Sequence, residues 1–140
     1  MSIPAVLAPV FVQIALTFLL LFWMARARVG AVMRRDVKVA EVVLGQPGWP
    51  PRITQIGNSF HNQLQLPVLF YVLVGLAIAV KKDDLLFVVM EWLFVLLRIA
   101  HAYVHTGTNN LRHRFNIFAA GVCVLAAMWV IFAARISAGI

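Results

Sequence analysis

Apolar residues run in four blocks along the chain, at 3–25, 64–80, 85–104 and 115–135, separated by short polar segments and one long one. Each block approaches the roughly 17–25 residues that an α-helix needs to cross a bilayer. The second is short and carries Pro67 near its start, so its helix must begin earlier. The place for it is just after Pro50-Pro51, at Arg52 or Ile53. The pattern therefore predicts four membrane-spanning helices at 3–25, 53–80, 85–106 and 115–135, forming one domain over 1–140. The fold class is all-α integral membrane. The first span is uniformly apolar from Ile3 to Met24 except at Gln13 and Thr17, and reads as mostly lipid-facing. It does not read as a cleaved leader, because no Lys or Arg precedes it while Arg26 and Arg28 follow it. In the long connection (26–52), Val37–Leu44 reads as a short interfacial helix. Gly45-Gln46-Pro47-Gly48-Trp49-Pro50-Pro51 is a break signal, with Trp49 at headgroup depth.

Composition supports this reading. Of 140 residues, 63% are hydrophobic and only 12% charged, with a mean hydropathy of +0.91. That is too little polar side chain to cover a globule in water. The net charge of +7 is confined largely to connections. Arg26, Arg28, Arg34, Arg35, Lys38 and Arg52 lie between spans one and two, and Arg112 and Arg114 between three and four. The Lys81-Lys82-Asp83-Asp84 connection is balanced. Basic connections mark the cytoplasmic side, which puts the long loop inside and both termini outside. The charge thus follows membrane topology, and no groove-reading motif accompanies it, so nucleic acid is not an expected partner. Cys123, the only cysteine, lies in an apolar run and reads as a small hydrophobe.

Two polar stripes interrupt the apolar spans. Gln55, Asn58, Asn62 and Gln65 recur at steps of three, four and three, with His61 on the edge. On span three, Glu91, Arg98, His101, His105, Asn109 and Arg112 share one face if the helix continues through Gly107. Such stripes must face protein or water rather than lipid, since a charge at mid-span costs at least about 2.5–3.5 kcal/mol. Glu91 stands two turns from Arg98, too far for a direct bond within the helix. Two partners for Arg98 stay open: a small anionic ligand, or backbone carbonyls and amide side chains at a helix contact. His101 and His105 at i and i+4 lack an HExxH context and a clear third ligand, so no metal is expected. Tyr103 points off the stripe and reads as packing. Gly121 and the alanines of span four favour close helix approach.

Two segments carry a family resemblance. Asn58-Ser-Phe60-His-Asn62-Gln-Leu-Gln65-Leu-Pro67-Val-Leu-Phe-Tyr71 resembles the second-helix motif of the MAPEG family, the membrane-associated proteins in eicosanoid and glutathione metabolism. Arg98-Ile-Ala-His101-Ala-Tyr-Val-His105-Thr-Gly-Thr-Asn109-Asn-Leu-Arg112-His-Arg114-Phe resembles the third-helix motif of bacterial members. The resemblance implies a left-handed four-helix bundle assembled as a homotrimer in a bacterial inner membrane, with periplasmic termini. It implies glutathione as cofactor, held between subunits near the cytoplasmic face. Carried over, Arg52, Asn58, Asn62, Gln65, Arg98, His101, His105 and Asn109 would form the ligand site. Arg112 would stabilise the glutathione thiolate. Gln65 departs from the glutamate of many members, and His101 and His105 replace tyrosines. The activity implied is glutathione-dependent transfer to, or reduction of, a lipophilic electrophile. Two alternatives are a non-catalytic binder of lipid or another amphiphile, and a structural subunit of a larger inner-membrane complex.

Overall fold

A computed structural model describes residues 1–45 and 48–139. Gln46 and Pro47, in the middle of the expected break signal, lie outside the described residues. All regular structure among the described residues is helical: α1 (Ile3–Met33), α2 (Val39–Val42), α3 (Pro51–Asn62), α4 (Leu66–Ala79), α5 (Leu85–Thr106) and α6 (Leu111–Ser137). α1, α3 with α4, α5 and α6 are long and apolar enough to cross a membrane, so the chain is a four-span helical membrane protein.

The first span is longer than its apolar block, continuing through the basic stretch to Met33. It also does more than face lipid. Val6, Pro9, Gln13, Leu20, Met24 and Ala31 form a buried stripe at steps of three, four, seven, four and seven, while Phe11, Phe18, Leu19 and Phe22 stay exposed. The interfacial helix of the long connection is a single turn, α2.

The second span starts after Pro50 as its sequence demands, but it is not one continuous helix. α3 stops at Asn62 and α4 begins at Leu66, with Gln65 at a non-helical φ −100°, ψ −104° between them. Pro67 is the cause. It has no N–H to give to the carbonyl of residue 63, and its ring would clash with that carbonyl in a continuous helix. As an early residue of a new helix it is harmless.

The third span matches its expected bounds, and this overturns the assumption that it runs through Gly107. There the backbone leaves the helix, and an added Cβ would lie 2.8 Å from the Tyr103 carbonyl oxygen. Only glycine fits that approach. Asn109 follows at φ +52°, and Asn110 then caps α6 by accepting from the His113 N–H at 3.1 Å. The fourth span therefore starts four residues earlier than its apolar block, and Arg112 rides on α6 rather than on the α5 stripe.

An apolar core of Val6, Phe70, Leu73, Val74, Ala77, Phe87, Val88, Phe94, Val95, Leu125 and Met128 fills the half of the bundle nearer the α4–α5 connection. The Phe70 and Phe94 rings stack at 4.9 Å. At that end the amino terminus reaches Asp83 (3.4 Å) and Arg135 reaches Asp84 (2.8 Å). The termini and the α4–α5 connection thus share one end, and the long connection and the α5–α6 turn share the other.

Asp84 has two jobs: it pairs with Arg135, and its side chain caps α5 by accepting from the Phe87 N–H at 3.0 Å. The hydrogen bond from Arg135 holds its carboxyl below the usual carboxylate value, against the opposing effect of burial. A lowered folded pKa stabilises above the unfolded value, and the gain is lost as pH falls through the folded one. Asp84→Ala should therefore cost about 1 kcal/mol in thermal unfolding in detergent, the usual weight of an N-cap. Asp84→Asn keeps a capping oxygen and should cost less. Its deficit, the ion pair alone, should begin to shrink as pH falls below about 4 and vanish only below the lowered folded pKa of Asp84.

Candidate functional site

The polar half of the bundle is organised around Arg98, which is buried on α5. Its Nη2 donates to the Asn62 backbone carbonyl (3.3 Å), to Asn62 Oδ1 and to Gln63 Oε1 (3.4 Å). Gln63 in turn donates to the Ser59 carbonyl (3.0 Å) and accepts from Gln13 Nε2 of α1 (3.0 Å). Of the two partners left open for Arg98, the structure supplies the helix contact. The guanidinium sits at the α3–α4 break, where Pro67 has left backbone without helical partners. Its Nε and Nη1 have no hydrogen-bond partner.

Beside this network lies a chamber of about 420 Å³. Asn58, His61, Asn62 and Gln65 line one wall, and His101 and His105 of α5 the back. Leu111, Arg114, Phe115 and Phe118 of α6 line the other wall. The His101 and His105 rings meet edge-on at 5.4 Å, and His101 packs against Phe118 at 5.6 Å. Neither imidazole Nδ1 has a partner. Among the described residues, no carboxylate lines the chamber. Its formal charge is Arg114, with Arg98 behind the wall, so it favours an anion.

The expected site residues divide. Asn58, Asn62, Gln65, His101 and His105 converge on the chamber, and Arg98 positions Asn62 from behind. Asn109 stands at the rim, where its Oδ1 accepts from Arg114 Nη1 at 2.6 Å and fixes that side chain. Arg112 is exposed on the first turn of α6 and does not line the chamber. Arg52 faces a separate cavity, where its Nη1 donates to the Thr106 carbonyl and to Gln55 Oε1 (3.3 Å). Gln55 reaches the carbonyls of His105 (2.8 Å) and Gly107 (3.0 Å). These two residues cap the C-terminus of α5, whose last carbonyls have no helical donors.

Arg114, Phe115 and Phe118 are the residues that sequence reasoning missed. Their signal was Asn110, a capping residue before an apolar run. With α6 started there, positions 111, 114, 115 and 118 fall on one face.

Glu91 is wholly buried within the single chain, and neither oxygen has a hydrogen-bond partner. An arginine from another subunit therefore cannot reach it across an interface. Among the described residues, no three His, Cys, Asp or Glu side chains are placed to hold a metal ion.

Fold and site together define a class: a four-span membrane protein with a cationic polar chamber flanked by aromatic side chains, suited to an amphiphilic guest. The chain belongs to the MAPEG family, whose sequence profile matches residues 6–134. Comparisons with curated proteins and with solved structures give no significant match.

Arg98 and Glu91, two of the buried ionisable groups of α5, should respond oppositely to Met, which keeps volume and removes charge. Arg98→Met strips partners from Asn62 and Gln63 and should cost about 1.5–3 kcal/mol, the range for hydrogen bonds to a charged group. Glu91→Met removes an unpaired buried carboxyl and should raise stability by about 1–3 kcal/mol. Thermal unfolding of the purified protein in detergent reads both.

Proposed function

We propose that this chain is a membrane-embedded glutathione-dependent transferase or peroxidase acting on lipophilic electrophiles, assembled as a homotrimer in a bacterial inner membrane with the chamber at its cytoplasmic side. The observation that carries this reading is the chamber's two-sided lining, with hydrogen-bonding side chains and Arg114 beside Phe115 and Phe118. A polar thiol tripeptide fits the first part and an apolar electrophile the second. A guanidinium beside the thiol sulfur stabilises the thiolate, which is the reactive form. The thiolate forms the carbon–sulfur bond as the electrophile expels its leaving group, and the unpartnered Nδ1 atoms of His101 and His105 are available to hydrogen-bond the guest.

Within one chain, Arg114 rather than Arg112 occupies the place this chemistry needs. Asn109 holds it there through its side-chain oxygen. Arg112, exposed on the same helix turn, would act only on the chamber of a neighbouring copy.

A second reading, a non-catalytic site for a lipid or other anionic amphiphile, is favoured by Gln65. Asn62 Nδ2 donates to Gln65 Oε1 at 3.2 Å, which leaves the Gln65 amide donor for a guest. That donor repels the glutathione ammonium and suits a carboxylate or phosphate.

Thioether formation between glutathione and a chromogenic aryl halide, followed by absorbance, separates the readings. Under the first, Arg114→Ala should lower kcat/KM by about 10²–10³, the loss expected on removing one electrostatic stabiliser, and Arg112→Ala should leave it near wild type. Gln65→Glu should tighten glutathione binding by about tenfold through one charge-assisted bond. A loss confined to Arg112→Ala would return the role to Arg112 across a subunit boundary. Absence of turnover with a tightly copurified amphiphile would favour the second reading.

A further inference from the structure

The cavity that takes Arg52 away from the chamber has chemistry of its own. It measures about 400 Å³ and opens between α1, α3 and the end of α5, lined by Trp23, Arg52, Tyr103, Val104 and Thr108 among others. Arg52 lies over the Trp23 ring at 5.4 Å from its centroid. Only its Nη1 is used in capping α5, so Nε and Nη2 make no hydrogen bond within the chain. Among the described residues, no carboxylate lies within ion-pair distance of Arg52 and none lines the cavity. The Tyr103 side chain is 80% exposed and makes no hydrogen bond.

Depth is the second consideration. α5 has 22 residues, about 33 Å at 1.5 Å per residue, while a hydrocarbon core is about 30 Å thick. With Leu85 at one boundary, the Tyr103–Thr108 segment reaches the opposite headgroup layer. Trp and Tyr concentrate at that depth. An unpaired guanidinium, two hydroxyls and an aromatic pair are thus presented sideways, at the level of lipid phosphates.

We propose that this cavity binds an anionic phospholipid of the leaflet at the α5 C-terminal end. Arg52 and the Tyr103 and Thr108 hydroxyls take the phosphodiester, and Trp23 and Val104 take the first methylenes of its chains. With Arg52 on the Trp23 face and no acidic side chain among the lining residues, the cavity selects for a net-anionic headgroup, because the ammonium of a zwitterionic lipid would meet a guanidinium and no carboxylate. This assignment stands independently of the glutathione reading.

Native mass spectrometry of the full chain in detergent, titrated with phosphatidylglycerol and with phosphatidylcholine, tests it. Phosphatidylglycerol should bind at least about fivefold more tightly, the weight of one guanidinium near an anionic lipid surface. Arg52→Gln retains a donor for the Thr106 carbonyl and should abolish the preference. The double variant Tyr103→Phe, Thr108→Val leaves the α5 cap intact and should weaken phosphatidylglycerol binding alone, so it decides the matter should Arg52→Gln misfold. Arg26→Gln, an exposed cation outside the cavity, should leave the preference unchanged. Equal binding of the two lipids, or a preference that survives both cavity changes or falls equally with Arg26→Gln, would overturn the assignment. So would a ready disulfide between copies carrying Tyr103→Cys in a Cys123→Ser background, which would show the cavity covered by a second copy of this chain.

Discussion

The contact between Arg98 and the break in the second span is the constraint from which the polar half of this protein follows. Backbone without hydrogen-bond partners costs several kcal/mol per group inside a bilayer, and a mid-span arginine at least about 2.5–3.5 kcal/mol. These penalties are of similar size and opposite polarity. Pro67 interrupts the helix at Asn62, whose carbonyl and side-chain oxygen accept from Arg98, as does the side-chain oxygen of Gln63. Either feature alone would be costly in a membrane helix; facing each other, they offset. Gln13 extends the arrangement to α1 through Gln63, so three of the four spans are tied at one depth by directional bonds. Within the span the apolar half relies on packing, as helices in lipid must, and its polar ties are confined to the ion pairs at its end.

The second constraint is that α5 is fastened at both ends. Asp84 caps its first turn, and Arg52 and Gln55 of α3 cap its last. A carboxylate at the N-terminus and a guanidinium at the C-terminus also suit the helix dipole. The consequence is positional. Fixing α5 lengthwise against α3 sets His101 and His105 opposite Asn58, Asn62 and Gln65, so the chamber's polar walls are held by caps lying outside it. Residues that look like ligands in the sequence are thereby spent on architecture.

That division explains what could be read in advance. The spans were legible because length and apolarity suffice for them, and the α5 bounds and the start of α3 because Pro50, Pro51 and the Asp83-Asp84 pair punctuate the chain. Asn58, Asn62, Gln65, His101 and His105 were legible as two inward stripes. The break after Asn62 was not. Pro67 announces a disturbance, but whether the helix kinks or parts depends on what donor lies opposite, and Arg98 is 36 residues from Asn62. The polar stripe was carried past the end of α5 because glycine is common inside membrane helices, whereas the decisive fact is a 2.8 Å approach to the Tyr103 carbonyl. Once α6 is known to start at Leu111, the two-residue step from Arg112 to Arg114 turns the side chain through about 200°. The assumed boundary therefore put Arg112 on the α5 stripe, whereas the helix start at Leu111 turns Arg114 to the chamber. Arg52 had no local signal of its capping role, since its acceptors belong to another helix.

The same network reaches into ligand choice. Asn62 has one oxygen and one amide nitrogen on its side chain. Arg98 has only donors to offer, so it fixes the oxygen toward itself. The Asn62 nitrogen must then point the other way, and it meets Gln65 Oε1. With its oxygen engaged, Gln65 presents its own NH₂ to the chamber. The polarity of that wall is thus transmitted from a buried arginine through two amides, each with a single orientation that satisfies its neighbour. A glutamate at position 65 would accept from Asn62 equally well and still leave an anionic oxygen for a guest. The relay therefore tolerates either residue structurally, while the guest meets a donor in one case and an anion in the other. Stability and specificity separate at this position: Arg98 and Asn62 decide that the wall stands, and residue 65 decides which charge it welcomes.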